Sequence, residues 1–285
     1  MSVLSRLQSA GVQPVSDILD INCKVFEPAP GAIQAPPVLA AQANPLVSCL
    51  MTTRGNLDLM KYSLACYRRQ TYANRELVIV AEPEAGEKVE TFIAAQDVLN
   101  ATVFVAPPGL AFGDHRNIAT ARSRGAVLVA WDDDDLADPR RLEVAVGTLR
   151  HSGAAAAFLS RLLVWWPRRK VAAISQRKPW EGTIAAWRPH MPLYPRMQRG
   201  EDTIAINALV NTHRVALVDC PFLYVYAVTG RNTWGPRHFE HFLKYAECLF
   251  EGDEFDELSE LLSDRLPLLD YAAMLNDEGT VKLGG

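Results

Sequence analysis

The chain has 285 residues, of which 49% are hydrophobic and 22% are charged, and its formal net charge is −4. This composition is typical of a soluble globular protein with one large or two small domains, and the acidic balance argues against a nucleic-acid partner. No apolar run approaches the ~18 residues that span a bilayer, and the N-terminus lacks a secretory signal pattern. We therefore expect a cytoplasmic protein without a transmembrane segment, which could still contact the inner face of the membrane peripherally.

Residues 1–44 differ in composition from the rest of the chain. Residues 2–19 could form one short amphipathic helix, and a segment rich in proline, alanine and glycine follows. Such a segment has little potential for helix or strand. We predict an N-terminal arm or leader over residues 1–44.

Short apolar runs alternate with helix-like segments in the next part of the chain. The predicted strands are residues 46–51, 77–80, 102–105 and 126–131. The predicted helices are residues 56–70, 87–99, 114–124 and a helix opened by Asp138 as N-cap and Pro139 in the first turn. This alternation predicts an α/β fold with a mixed, mostly parallel, Rossmann-like sheet flanked by helices. We place a nucleotide on this half, residues 45–150.

The second half of the domain, residues 151–250, is less regular. Its predicted strands are residues 155–166 (a strand or a hairpin), 171–175, 183–187 and 223–228, and its predicted helices are residues 202–209 and 236–250. An acidic amphipathic helix over about 255–262 begins a C-terminal helical tail, residues 251–285. The sequence thus predicts one domain over residues 45–250 between an arm and a tail, and it specifies no oligomeric state.

An acidic run follows the fourth predicted strand. Asp132, Asp133, Asp134 and Asp135 stand at the sheet edge where open α/β proteins bind ligands. Adjacent carboxylates repel one another unless a cation neutralises them, and their oxygens suit hard cations such as Mg²⁺ or Mn²⁺. Because side chains at i and i+2 of an extended segment point to one side, Asp132 and Asp134 can share one metal. A solvated turn capping the next helix is the alternative, but Asp138 already supplies that cap.

Four stretches of the chain resemble successive motifs of family 2 glycosyltransferases. They are LVSCLMTTRGN, SLACYRRQTYANRELVIV, GDHRNIATARSRGAVLVAWDDDDLADPRRLE and RGEDT, covering about residues 45–209 with a weaker extension to about 241. The resemblance implies a GT-A fold and an inverting transfer from a nucleotide-diphosphate sugar, generally with Mn²⁺ or Mg²⁺. It further implies a glycan or lipid-linked acceptor on residues 151–250, in bacterial surface polysaccharide synthesis. We expect a UDP-sugar as the donor.

The resemblance assigns the metal ligands residue by residue. Asp132 and Asp134 match the DxD pair, and Asp135 matches a neighbouring Asp usual in the family. A metal there would act as a Lewis acid on the departing diphosphate. Asp133 is expected to face the nucleotide sugar and to matter least of the four acids. His238, three residues before another histidine on a predicted helix, could be a further ligand or an ordinary surface histidine.

The nucleotide-sugar contacts also follow from the resemblance. Thr53 and Arg54 match positions that touch the nucleoside, and Arg116 with Asn117 matches an RN pair whose Arg reaches towards base or phosphate. An Arg is chemically suited to phosphate oxygens because its planar fork pairs with them. Glu82 departs from the family pattern, since it stands where an Asp usually holds the base.

Two acidic residues after Gly200 match the family's ED motif. An inverting transfer needs a general base that takes the proton of the acceptor hydroxyl. We predict that Asp202 is this base and that Glu201 assists it or orients an acceptor group. The alternative is an ordinary acidic first turn of a helix.

Aromatic and basic residues of the second half could contact the acceptor. Trp180 and Trp234 lie in predicted loops, and aromatic faces suit the apolar faces of sugar rings, although core packing is the alternative. The basic run at residues 168–170 is either a solvated hairpin tip or a contact for an anionic acceptor or lipid headgroups.

Three other functions agree less well with the sequence than a glycosyltransferase does. A nucleotidyltransferase would need a glycine-rich phosphate loop, for which residues 54–56 are too little. A catalytically inactive glycan-binding relative is a second alternative, opposed by the retention of the metal and base candidates. A phosphatase with an Asp nucleophile is excluded because its motif should lie on the first strand.

Overall fold

A computed structural model describes residues 2–12, 22–28 and 31–281, the last four of these by their backbone alone. Strands β1 to β13 are Cys23–Phe26, Val47–Thr53, Arg75–Ala81, Ala101–Val105, Val127–Ala130, Leu136–Ala137, Ala156–Leu159, Leu163–Trp166, Val171–Ile174, Ala185–Trp187, Val215–Val218, Tyr224–Ala227 and Cys248–Glu251. Helices α1 to α10 are Val3–Ser9, Pro37–Ala40, Leu57–Arg68, Gly86–Ala95, Phe112–Arg122, Arg141–Ser152, Glu201–Thr212, Pro236–Lys244, Asp253–Leu262 and Leu268–Val281. Within the described ranges, no helix is long and apolar enough to cross a membrane.

The larger sheet contains all four strands that were predicted in residues 45–150. Its eight strands among the described residues run in the order β1-β11-β7-β10-β5-β2-β3-β4. Strands β5, β2, β3 and β4 are mutually parallel, and every residue of β2 and β5 is buried. Strands that are buried along their whole length suit a parallel sheet covered by helices on both faces. The mixed, mostly parallel α/β fold predicted from the sequence is confirmed.

A smaller sheet carries much of the second half. Its order is β13-β9-β8-β12-β6, and β8 and β12 are parallel neighbours. The short strand β6 directly follows the acidic run and pairs antiparallel with β12 through Leu136↔Val225 and Ala137↔Tyr224. This pairing brings the end of the acidic run against β12, so both sheets contribute to one edge.

Three local predictions are corrected by the structure. Residues 155–166 form β7 and β8, which lie in different sheets, and the hairpin is instead β8–β9, with the basic run 168–170 at its tip. Residues 236–250 are helical only to Lys244, and β13 follows because it pairs with β9. Helix α6 begins at Arg141, and Asp138 accepts a hydrogen bond from the Arg140 amide before it.

The described parts of the two ends pack on the domain. Helix α1 buries Val3 and Leu7, and β1 adds an antiparallel edge strand beside β11. The α1 helix matches the first part of the helix predicted over residues 2–19, and residues 13–19 of that prediction lie outside the described residues. At the other end, α9 agrees with the predicted acidic helix.

Candidate active site

The acidic run is separated from the end of β5 by Trp131 alone, at the edge of the sheet where the parallel strands β2 and β3 also end. Its main chain is held from three sides: the Trp131 amide donates to the Leu50 carbonyl at 3.0 Å, the Ser63 hydroxyl to the Asp132 carbonyl at 2.7 Å, and the Tyr271 hydroxyl to the Asp134 carbonyl at 2.7 Å. These bonds fix a segment that belongs to no helix and no strand over residues 131–135.

The carboxylates of the run differ in their partners. The Thr53 hydroxyl donates to Asp133 at 2.5 Å, and the Asn232 amide donates to Asp134 at 3.0 Å. Asp135 is buried and accepts hydrogen bonds on both oxygens, from the Ala227 amide at 2.8 Å and from the Tyr224 hydroxyl.

The Tyr224 hydroxyl also lies 2.9 Å from Oδ2 of Asp132. Asp132, Asp133 and Asp134 are partly exposed and line the cleft. Asp135 lines the cleft too, but both of its carboxylate oxygens are hydrogen-bonded to residues of β12.

The run carries more negative charge than the protein around it offsets. Burial, followed by the repulsion of neighbouring carboxylates, raises the pKa of Asp134 and of Asp135 well above the ordinary range. Burial likewise raises the pKa of Asp133 to about 6. A divalent cation would relieve this repulsion, so the donor set fits such an ion electrostatically.

The geometry limits how many ligands the protein could supply to that ion. In the described part of the chain, no three His, Cys, Asp or Glu side chains are grouped so that they could hold a metal. Mg²⁺ and Mn²⁺ sites of nucleotide enzymes commonly use one or two carboxylates, with water and phosphate oxygens completing the shell. A metal at the run would therefore need ligands from water and the substrate in addition to the carboxylates.

Arg116 of α5 connects the acidic run to the start of α7. Its Nε donates to Oε1 of Glu201 at 3.0 Å, and one terminal nitrogen lies 3.6 Å from Oδ1 of Asp132. Burial alone would lower the pKa of this guanidinium, but nearby carboxylates, led by Asp132, raise it. Arg116 thus places a positive charge beside the run, on the wall of the cleft.

Helix α7 presents the ED pair in its first turn. Gly200 precedes it with φ 74°, a left-handed conformation that glycine adopts without strain. Glu201 is 3% exposed and paired with Arg116, whereas Asp202 is partly exposed, lines the cleft, and accepts from the Thr203 amide at 2.7 Å. Of the two carboxylates, that of Asp202 is the more accessible to a substrate.

The predicted nucleoside contacts lie at the ends of β2 and β3. Arg54 donates to Glu82 at 3.1 Å and to the Thr233 hydroxyl at 3.2 Å, which closes this corner of the cleft. The Thr53 hydroxyl accepts from the Gly55 amide in addition to its bond to the run. Asn117 is committed to the main chain of Tyr194, with its amide as donor and its oxygen as acceptor.

Aromatic residues from α8, from the loop before α8 and from the segment between β9 and β10 form one wall of the cleft. Trp234 is 39% exposed and stacks on His238 with ring centroids 4.8 Å apart. His238 also packs edge-on against Phe242 at 4.4 Å, and burial and then the nearby Lys178 lower its pKa. Trp180 is only 3% exposed and is a buried part of this wall.

The cleft also contains residues that the sequence analysis did not single out. Thr52 has a buried hydroxyl that finds no partner among the described residues, and Tyr226 lies on β12 between the run and α8. Tyr224 and Asn232 hold carboxylates of the run. None of these four residues belongs to a recognisable motif in the sequence. A longer prediction for strand β2, beyond residue 51, would have placed Thr52 at the sheet edge.

Comparison with known proteins identifies a matching family and similar folds. The family model described as "Glycosyl transferase family 2" matches residues 48–224. TarS 1–349 of S. aureus in complex with UDP-GlcNAc is 14% identical with a TM-score of 0.53, and the match covers 76% of this chain and 71% of that one. The mannosyltransferase PcManGT of Pyrobaculum calidifontis, in complex with GDP-Man and Mn²⁺, is 15% identical with a TM-score of 0.52, over 99% and 82% of the two chains. A search of curated proteins finds no match.

Proposed function

The chain belongs to glycosyl transferase family 2 and is a glycosyltransferase, and on this premise we propose which reaction its cleft performs. It transfers the sugar of a nucleoside-diphosphate donor, with inversion, to a hydroxyl of a glycan or lipid-linked acceptor. The transfer depends on Mn²⁺ or Mg²⁺ and serves the synthesis of a bacterial surface polysaccharide.

The observation that carries this proposal is the contact of Arg116 with Asp132 and Glu201. These residues come from α5, from the segment after β5, and from the start of α7. Arg116 is partly buried and links two acidic motifs that are 69 positions apart in sequence (201 − 132), and all three side chains line the same cleft. A donor diphosphate beside Arg116 would lie between the proposed metal ligands and the proposed base.

The donor end of the cleft uses Asp132 and Asp134 as the metal ligands. When bound, the ion supplies Lewis-acid stabilisation of the departing diphosphate. Arg116 adds a positive charge near the oxygens of the departing diphosphate. Asp135 accepts the hydrogen bond of the Tyr224 hydroxyl and so orients Tyr224 behind the run. His238 remains a prediction as a further ligand, since its ring packs between Trp234 and Phe242.

The acceptor end of the cleft uses Asp202 as the general base. Its carboxylate takes the proton of the attacking hydroxyl, which makes that oxygen a stronger nucleophile as it approaches the anomeric carbon. Glu201, held by Arg116, positions the first turn of α7. The exposed face of Trp234 offers a platform for the apolar face of an acceptor sugar.

The bound ligands of the structurally similar proteins support a nucleotide-sugar donor. TarS has been crystallised with UDP-GlcNAc, and PcManGT with GDP-Man and Mn²⁺. We propose a UDP-sugar for this chain, with Arg54 and Glu82 at the base end.

A thermal-shift screen of UDP-, GDP-, dTDP- and CMP-sugars, each with and without Mn²⁺, tests the proposal. A ligand that binds the folded state raises its apparent stability, so a UDP-sugar should raise the Tm in the presence of Mn²⁺. NMR of the product should then show the anomeric configuration opposite to that of the donor. Pyrophosphate release from a nucleoside triphosphate and a sugar phosphate, or no response to any donor, would contradict the proposal.

A further inference from the structure

Tyr271 joins the C-terminal helix α10 to the acidic run. The residue is 0% exposed, and its hydroxyl donates to the main-chain carbonyl of Asp134 at 2.7 Å. A buried hydroxyl costs free energy unless it is hydrogen-bonded, so this contact constrains both groups. Tyr271 lies outside residues 48–224, the part of the chain that matches the family model.

The ring of Tyr271 is fixed by aromatic neighbours. It stacks on Tyr62 of α3 with centroids 4.6 Å apart and on Trp165 of β8 at 6.0 Å. Trp165 is itself anchored, because its indole N–H donates to the Ser259 hydroxyl at 3.2 Å. Packed rings have few alternative rotamers, so the hydroxyl has one position relative to the sheet edge.

The helix that carries Tyr271 is anchored one turn later. The guanidinium of Arg168, at the tip of the β8–β9 hairpin, donates twice to the carbonyl of Leu275, at 2.9 and 2.8 Å. Movement of α10 away from the core would therefore break these bonds as well as the bond to Asp134.

Asp134 is thus held at two points. Its carboxylate accepts from Asn232 at 3.0 Å, and its carbonyl accepts from Tyr271. Because residues 131–135 lie in no helix or strand, these side-chain contacts replace the ladder bonds that would otherwise set the peptide orientation. Displacement of the Asp134 main chain would move the Cα that carries this carboxylate.

We propose that Tyr271 is a positioning residue that sets the orientation of the Asp134 carboxylate for the divalent cation. The inference rests on the metal role of Asp134 given under Proposed function. It makes the C-terminal helix part of the site and predicts that the loss of a single hydroxyl in that helix weakens metal binding.

The test compares Tyr271→Phe with Tyr62→Phe in the full chain. The Tyr62 hydroxyl donates to the Asp270 carbonyl at 3.1 Å, so each variant keeps its ring and loses one hydroxyl-to-carbonyl bond where α10 meets its neighbours. Only Tyr271→Phe loses a bond to the acidic run. Urea unfolding shows whether either variant is destabilised as a whole.

The measured quantity is the Kd for Mn²⁺, from calorimetric titration in the presence of UDP and, separately, of GDP. Removing a group that orients a metal ligand typically costs roughly 10- to 100-fold in metal affinity, so Tyr271→Phe should raise the Kd by about tenfold or more while Tyr62→Phe matches the wild type. Equal affinities in the two variants would overturn the inference alone. A wild-type protein that binds no Mn²⁺ with either nucleotide would overturn the proposed metal role, and the inference with it.

Discussion

Glu201 and Asp202 are adjacent in sequence but have different surroundings. Glu201 is buried and bonded to Arg116, whereas Asp202 is partly exposed to the cleft. A carboxylate that must exchange a proton with a substrate needs this access. On this basis we propose that Glu201 has a positioning role and that Asp202 accepts the proton.

Replacing Asp202 with Asn tests this assignment. General-base catalysis typically contributes about 10²- to 10⁴-fold, so Asp202→Asn should lower kcat by that factor and leave the Kd of the donor unchanged. Steady-state kinetics and calorimetry on the same preparation measure both quantities. A variant that transfers sugar at the wild-type rate would refute the assignment.

The two tryptophans predicted to contact the acceptor also differ in burial. Trp234 is exposed to the cleft. Because an aromatic contact contributes about 1 kcal/mol, Trp234→Ala should raise the KM for the acceptor roughly fivefold and leave the affinity for the donor unchanged. Trp180→Ala should instead destabilise the fold by about 3 kcal/mol or more, because it empties a packed site. Kinetics and urea unfolding separate the two effects. Equal loss of stability in both variants would contradict this division.

At the scale of elements, the first half of the sheet could be predicted because its signal is local. The predicted strands 46–51, 77–80 and 102–105 correspond to β2, β3 and β4, since each segment is rich in apolar and β-branched residues, although β4 at the sheet edge is only partly buried. Strand β13 was predicted as helix, because only its pairing with β9 decides its conformation. Strand β11 was missed for the same reason, as its neighbours β1 and β7 are distant in sequence.

The candidate site shows the same contrast between features that are local in the sequence and contacts that only the fold creates. Runs of like residues such as the acidic run or the ED pair stand out in a sequence, and the structure brings both to Arg116. Tyr224, Asn232 and Tyr271 act as single hydrogen-bonding residues contributed by later elements. A lone tyrosine or asparagine carries no periodicity or spacing, so these residues become visible only in the fold.

Helix α5 and the segment before α7 approach each other closely at Gly113. A Cβ at this position would lie 2.0 Å from the carbonyl oxygen of Pro195 and 3.4 Å from the Cβ of Glu201. Gly113→Ala should therefore displace the start of α7 and lower both stability and kcat. Gly147→Ala in α6 is the matched control, because nothing lies within 4 Å of its added Cβ, and it should stabilise the helix by about 0.5–1 kcal/mol. Wild-type activity in Gly113→Ala would contradict the close approach.

At the level of the whole molecule, an ion network around a buried arginine ties the end of α1 to both sheets. Arg161, between β7 and β8, is 0% exposed and pairs with Asp219 and Glu247 at 2.7 Å each. It also donates to the carbonyl of Ala10, just after α1, at 2.9 Å. Burial alone would raise the pKa of Asp219, but its bonds to Arg161 and Arg177 lower it overall.

This network predicts a defined acid sensitivity. Because the folded pKa of Asp219 is depressed, its contribution is fully present above the ordinary value of 3.8 and is lost as the pH falls through the folded pKa below it. Asp219→Asn should lower the free energy of unfolding by about 3 kcal/mol at pH 7, since it leaves a buried guanidinium with one partner fewer. The variant should also lose less of its remaining free energy of unfolding than the wild type as the pH falls below 3.8.

Urea unfolding as a function of pH measures this contribution. Asp256→Asn, which removes the exposed partner of Lys170, is the control and should leave the midpoint nearly unchanged. An Asp219 variant that unfolds like this control would contradict the role of the network.

We propose that the cleft binds a nucleoside diphosphate sugar through a divalent cation held by Asp132 and Asp134. The decisive experiment is calorimetric titration of UDP-sugar into the wild type and into Asp134→Ala, with Mn²⁺ and then with EDTA. The wild type should bind the donor in the presence of Mn²⁺, and this binding should be lost on chelation and in the variant. Donor binding that is unchanged by both EDTA and Asp134→Ala would contradict it.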